Sequence, residues 1–256
     1  MNTLVDCPQG KAGEWSFRLF GVPVHVKIWF WISTVVLCGA NDTGGVLIWI
    51  AVCLASIVIH ELGHVYAFRF FGTDADVVLY AWGGLAIPHR SIRGAVPQCV
   101  VALAGPVAGF CVAAIALGAA WVSGATIQAG WHLFLPVLAA VPAVGLSHLH
   151  ASNYWYVLLN DLLWVNLYWG LVNLLPVHPF DGSHAAKAIL AQRDPHRGKR
   201  NSLILSAVVA AAAAVFGIVE RSLYLMLPFA ILAVSSAQAA EGEGPSSPRP
   251  FRSPRW

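Results

Sequence analysis

The sequence predicts an all-α polytopic membrane protein of about six transmembrane helices, with a small β element before the third and a re-entrant or interfacial segment after it. Three observations predict this. Of 256 residues, 58% are hydrophobic and 11% charged, less than half the roughly 25% charge of a soluble domain. The apolar residues come in long runs rather than alternating ten-residue segments. That pattern excludes a β-barrel and leaves the helix, which satisfies its own backbone in lipid. Finally, Pro, Gly and charged clusters break the runs at intervals near the roughly 20 residues needed to cross a bilayer.

Residues 1–21 are mixed in polarity and are expected at the interface; no cleavable signal peptide is evident, because the first apolar run begins only near Val22. Gly13–Gly21 fits a short edge strand or an amphipathic segment. The first span is expected over 22–40, with a turn at Asn41–Gly45, and the second over 46–71, long enough to tilt or protrude. Asp74 and Asp76 follow, then a short strand over Val77–Tyr80 and a turn over Trp82–Ala86. The third span is expected over 98–122. Pro136 and Pro142 interrupt the apolar stretch 131–147, so it is read as re-entrant or interfacial. A fourth span covers 157–176, a short helix 183–192, and a helical hairpin 202–219 and 222–238 turns at Glu220–Arg221. The membrane domain thus covers 1–240. Residues 241–256 are rich in Pro, Ser, Gly and Arg and are expected to be a disordered tail.

Basic residues orient the chain. Lys11, Arg18 and Lys27 precede or open the first span. Arg69, Arg90 and Arg93 lie between the second and third, Lys187 to Arg200 follow the fourth, and the tail carries more. The loop 123–130 and the turn 41–45 have no Lys or Arg. The positive-inside rule then puts both termini in the cytosol of a multi-pass cell-membrane protein, provided 131–147 does not cross. The net charge of +3 is mild and gives no reason to expect a nucleic-acid partner. The five cysteines form no C-x-x-C pair and read as small core residues.

The chemistry is concentrated in His60-Glu61-Leu62-Gly63-His64, inside the second span. Two histidines four apart sit about 40° apart around a helix, so both imidazoles reach one metal. Glu61 lies beside them and suits a general base acting on a metal-bound water. The bland reading is a satisfied histidine pair on a core helix. It is weak here, because three ionisable groups at membrane depth are costly without a function.

A hydrolytic zinc site needs a third protein ligand. Asp181 is the candidate, because Pro176 and Pro179 end the fourth span and leave an unwound carboxylate-bearing segment that must line a cavity or be covered. The competing reading makes Asp181 a simple N-cap. His178 and His184 flank it and would orient a ligand or a water. Asn166 and Asn173 share a helix face. Gly105 and Gly109 suit close helix packing as well as a site. His148 and His150 read as loop histidines.

His60–His64, Ala104-Gly105-Pro106 in the third span, and Asn173-x-x-Pro176-x-x-Pro179-x-Asp181-Gly182 together resemble the site-2 protease family of intramembrane zinc metalloproteases. The likeness covers most of residues 14–240. It implies one Zn2+ per chain held by His60, His64 and Asp181, with Glu61 as catalytic base. It also implies a substrate that is itself a transmembrane protein, cut within or near the bilayer. Asn173, Gly105 and Gly109 fall at positions where the family binds substrate. The sequence departs from the pattern at Gly109, where family members often have Asn. The alternative is a non-hydrolytic membrane metal protein, a transporter or a pseudoprotease that binds transmembrane helices. The sequence specifies neither substrate nor oligomeric state.

Overall fold

Alternation dictates the first hairpin. Val22, Val24 and Val26 point one way and Pro23, His25 and Lys27 the other, the two-residue period of a half-buried strand. In a computed structural model of the chain, which describes residues 14–40, 42–81, 83–132, 135–141, 154–192 and 194–243, these residues form β2 (Val22–Lys27), paired antiparallel with β1 (Glu14–Leu19). Phe20 and Gly21 make the turn with φ of 49° and 76°, the two positive angles that a tight hairpin matching strand twist requires. β2 also pairs in parallel with β3 (Ala75–Tyr80), and β3 antiparallel with β4 (Gly83–Pro88), so the sheet runs β1-β2-β3-β4.

The chain divides into two compact units, one of Met1–Arg93 and Val100–Leu174, the other of Gly94–Cys99 and Leu175–Trp256. In the first, α1 (Ile28–Val36) and α2 (Thr43–Phe70) link β2 to β3. Val22, Val24, Val26 and Phe30 pack with Val58, Leu62, Val65, Val77 and Leu79 in one buried cluster. Asp42 caps α2 by accepting from the Gly45 backbone N–H at 2.9 Å, and that bond holds its carboxyl below the usual range.

α3 (Ala95–Val122) lies against α2 closely enough that Gly63 is obligatory: a Cβ there would stand 3.0 Å from the Ala104 carbonyl carbon and the Ala108 methyl. A hairpin of β5 (Thr126–His132) and β6 (Leu135–Val141) follows. The Asn160 side chain donates to the Ala140 carbonyl and accepts from its N–H, standing in for a neighbouring strand at that residue. Asn160 belongs to α4 (Tyr154–Leu163), which passes through one π turn, Trp164–Tyr168, into α5 (Trp169–Asn173).

The second unit holds α6 (Asp181–Leu190), α7 (Pro195–Val219) and α8 (Leu223–Gly242). α7 and α8 form a tight hairpin, with Gly217 so close that a Cβ would stand 2.7 Å from the Met226 nitrogen. Ser206 of α7 donates to the Pro176 carbonyl and accepts from the His178 N–H, which ties α7 to the unwound segment before α6.

Among the described residues, four helices, Thr43–Phe70, Ala95–Val122, Arg197–Val219 and Leu225–Gly242, are long and apolar enough to cross a membrane. The chain is a multi-pass membrane protein, mostly helical, with a small sheet. The first expected span, 22–40, is not a single helix: it is β2 followed by the nine-residue α1. The Val-rich alternation of 22–26 and its pairing with β3 outweigh helix formation there. This stretch nonetheless runs alongside α2. Arg69 Nη1 donates to the Phe20 carbonyl at 3.4 Å and Trp49 Nε1 to the Thr34 carbonyl at 2.9 Å. Positions 49 and 69 are about 30 Å apart along a helix, close to the thickness of the hydrocarbon core.

Two smaller differences follow from backbone pairing. Gly83–Ala86, expected as part of a turn, begins β4, because the positive φ of 131° at Gly83 lets the chain reverse before it. Residues 135–141 of the expected re-entrant segment form β6, with Pro136 in a two-stranded hairpin that has no central strand to interrupt. Asp181, for which an N-cap is the competing reading, is the first residue of α6, and Phe180 is the N-cap. Residues 142–147, His148, His150 and 244–256 lie outside the described residues.

Candidate metal centre

The site is built on the middle of α2. Helical spacing puts His60 and His64 on one face, and their Nε2 atoms are 3.3 Å apart. His64 Nδ1 lies 2.7 Å from the Val101 carbonyl of α3. A carbonyl only accepts, so Nδ1 carries the proton and the Nε2 lone pair is directed at His60. Glu61 is 4% exposed and His64 6%. One donor atom from each of His60, Glu61 and His64 lies within 4.8 Å of the others.

Two glycines make room for this cluster. A Cβ on Gly105 of α3 would stand 2.7 Å from His60 Nε2 and collide with the His64 ring. A Cβ on Gly84 of β4 would overlap the Glu61 side chain, 2.7 Å from its carboxyl carbon. The helix α3 and the strand β4 thus approach the motif from two sides at van der Waals distance. On the sheet side, burial and then the Glu61 charge push the Tyr80 phenol up from its ordinary value.

The residues fit a tetrahedral cation. Two nitrogens each about 2.05 Å from a zinc ion at the tetrahedral angle are separated by about 3.3 Å, which is the spacing of the two Nε2 atoms. The fixed tautomer of His64 points its lone pair into the same space.

The Peptidase family M50 model matches residues 48–216, more than half of the chain and all of this cluster. The chain belongs to peptidase family M50, the site-2 proteases. It is similar to a zinc metalloprotease of Methanocaldococcus jannaschii, 23% identical over 216 residues, which cover 82% of this chain and 56% of that protein. The chain therefore spans a little over half the length of that curated relative. Its fold is similar to the solved structure of a site-2 protease from the same organism, with a TM-score of 0.57 and 20% identity over 89% of this chain and 95% of that one.

Within this M50 chain, His60, Glu61, His64 and Gly105 come together in the first unit. Gly109 faces Asn166: a Cβ there would lie 3.5 Å from the Asn166 carbonyl oxygen and 3.6 Å from its side-chain oxygen. Asn166 is 3% exposed and donates to Ser56 Oγ at 2.8 Å and to the Leu162 carbonyl at 2.9 Å. Asn173 ends α5, half-buried. Asp181 opens α6 in the second unit, and His178 and His184 line a cavity of that unit. Partial burial and then the Lys187 charge push the His178 imidazole below its ordinary value. Sequence reasoning missed the Val101 carbonyl, Gly84 and Ser56. A backbone acceptor leaves no mark in a sequence. The Gly83-Gly84 pair was the available signal for close approach, and Ser56 lies one turn before His60 on the same face.

Proposed function

We propose that this chain is an intramembrane zinc endopeptidase that hydrolyses a peptide bond within or near a transmembrane helix of a membrane-protein substrate. The observation that carries the reading is the convergence of the His60 and His64 Nε2 atoms at 3.3 Å, with Glu61 buried beside them, on a helix apolar enough to cross a membrane. Family membership supports it.

His60 and His64 would hold one Zn2+ per chain, with Asp181 as the proposed third ligand. Bound zinc supplies a Lewis acid that brings the pKa of water toward about 7 and polarises the scissile carbonyl. Glu61 accepts a proton from the attacking water and returns it to the leaving amide nitrogen, so acid and base are the same carboxyl in succession. Burial keeps Glu61 away from bulk solvent and fixes its rotamer against Gly84. Val101 holds the His64 ring, which keeps the lone pair aimed while the site turns over.

A helical substrate hides its carbonyls and must unwind. β4 supports the accommodation of an extended segment: it is the edge of the four-stranded sheet, and its Gly84 touches Glu61. A peptide adding to that edge gains backbone hydrogen bonds and passes the base.

Six crossings with both termini in the cytosol complete the reading. Residues 20–34 cross beside α2 as strand plus helix, α4 to α5 is the fourth crossing, and the β5–β6 hairpin does not cross. The Lys/Arg-free segment at 123–130 supports this orientation.

The test is metal content. Purified protein should carry one zinc per chain, and His60→Ala and Asp181→Ala should each carry much less. Full zinc in folded Asp181→Ala would remove that residue from the ligand set, and absence of zinc from the wild type would remove the reading.

A further inference from the structure

We propose that a basic cavity at the open end of the α7–α8 hairpin binds a phosphate group, carried by an anionic phospholipid or by a soluble phosphate. The cavity measures about 200 Å³ and is lined by His178, His184, Lys187, Lys199, Ser202 and Glu243 among others. Two lysine ammonium groups thus face one carboxylate. Lys199 is ion-paired with Glu243, whereas Lys187 has no carboxylate partner among the described residues. A concave site with an excess cation and hydroxyl and imidazole donors suits a tetrahedral oxyanion. The lysine pair repels a metal cation.

The position favours a headgroup. Lys199 lies at the start of the apolar span Arg197–Val219, and Glu243 just past the end of Leu225–Gly242. The hairpin brings both to one end, where two apolar helices leave the hydrocarbon and phosphates of the bilayer lie. Basic pockets between transmembrane helices at this depth are suited to anionic headgroups. One turn deeper, Leu203 and Ala239 give the cavity an apolar floor. Exposed Ile204, Leu205 and Val208 continue along α7 as a surface for acyl chains. Glu243 occupies Lys199 as an internal competitor, so an arriving phosphate binds Lys187 first and then shares Lys199.

The test uses the full chain, purified in detergent and delipidated, with three probes measured by native mass spectrometry: phosphatidylglycerol, phosphatidylcholine and inorganic phosphate. Phosphatidylglycerol should be retained over phosphatidylcholine. Lys187→Gln should weaken it about fivefold, the loss expected of one cation near an anionic surface. Lys187→Arg should restore it and Glu243→Gln should tighten it. If inorganic phosphate binds instead, with the same dependence on Lys187, the site stands and its ligand is soluble. If neither phosphate probe binds, or if Lys187→Gln leaves their binding unchanged, the proposal is overturned. Lys187 is exposed on α6, so its replacement does not threaten folding.

Discussion

Gly105 sits against His60 so closely that a methyl group on it would stand 2.7 Å from the His60 Nε2 and overlap the ring of His64. An α3 glycine therefore leaves the space in which two α2 imidazoles converge. Gly105→Ala raises helix propensity, so any loss comes from the site. We expect zinc affinity to fall roughly 10–100-fold, the range for changes in groups that orient metal ligands. Chelator competition on the purified variant checks it. Unchanged affinity would mean that the histidines have another way to meet.

Gly84→Ala separates base from metal. The added methyl meets Glu61 rather than the histidines. Zinc content should stay near wild type while kcat drops about 10²-fold or more, since a displaced general base forfeits a contribution of that order. Elemental analysis and substrate cleavage, measured on one preparation, separate the two effects.

The Asn166–Ser56 hydrogen bond joins α2 to the π turn between α4 and α5, both groups being buried. Interhelical polar bonds in membranes average about 0.6 kcal/mol and reach about 1.7. A double-mutant cycle of Ser56→Ala and Asn166→Ala should give a coupling within that range. Unfolding equilibria in mixed micelles supply the numbers, and a coupling of zero would make the contact incidental.

Partial burial and Lys187 depress the His178 imidazole below 6.5 in the folded chain. Its neutral form is therefore the one that folding favours. The associated stability is fully present above the unfolded value near 6.5 and is lost as pH falls through the lower folded value. Wild-type protein should lose more stability than His178→Gln between pH 7 and 5. Identical pH profiles would contradict the assignment.

Topology can be read by labelling single cysteines at Ser91 and Ser123, both exposed, in a background without the native cysteines. Ser123 should react from outside intact cells and Ser91 only after the membrane is opened. Reaction of both from one side would break the six-crossing account.

The sequence made the site legible where the chemistry is local. His60, Glu61 and His64 announce themselves by helical spacing inside an apolar run, and the structure brings their donor atoms within 4.8 Å of one another. Long apolar runs also gave α2, α3, α7 and α8 closely. What was not legible depended on distant partners. Residues 22–26 form a strand held on one side by the neighbouring β1 and on the other by β3, fifty residues away in sequence. β4 and β6 are strands because each folds back on the strand just before it, a pairing that Gly and Pro in the sequence masked as turn or re-entrant signals. Gly105 and Gly84 read as packing or turn residues until α3 and β4 are seen against the motif. Asp181, on a segment unwound by Pro176 and Pro179, remains a proposed ligand.

The most direct test of the central claim is cleavage of a transmembrane substrate by purified, zinc-loaded wild-type and Glu61→Gln protein. Gln is nearly isosteric, so the fit beside Gly84 is kept while the proton acceptor is lost. The account predicts equal zinc and a loss of cleavage of at least about 10²-fold. Cleavage at the wild-type rate by zinc-loaded Glu61→Gln would contradict it.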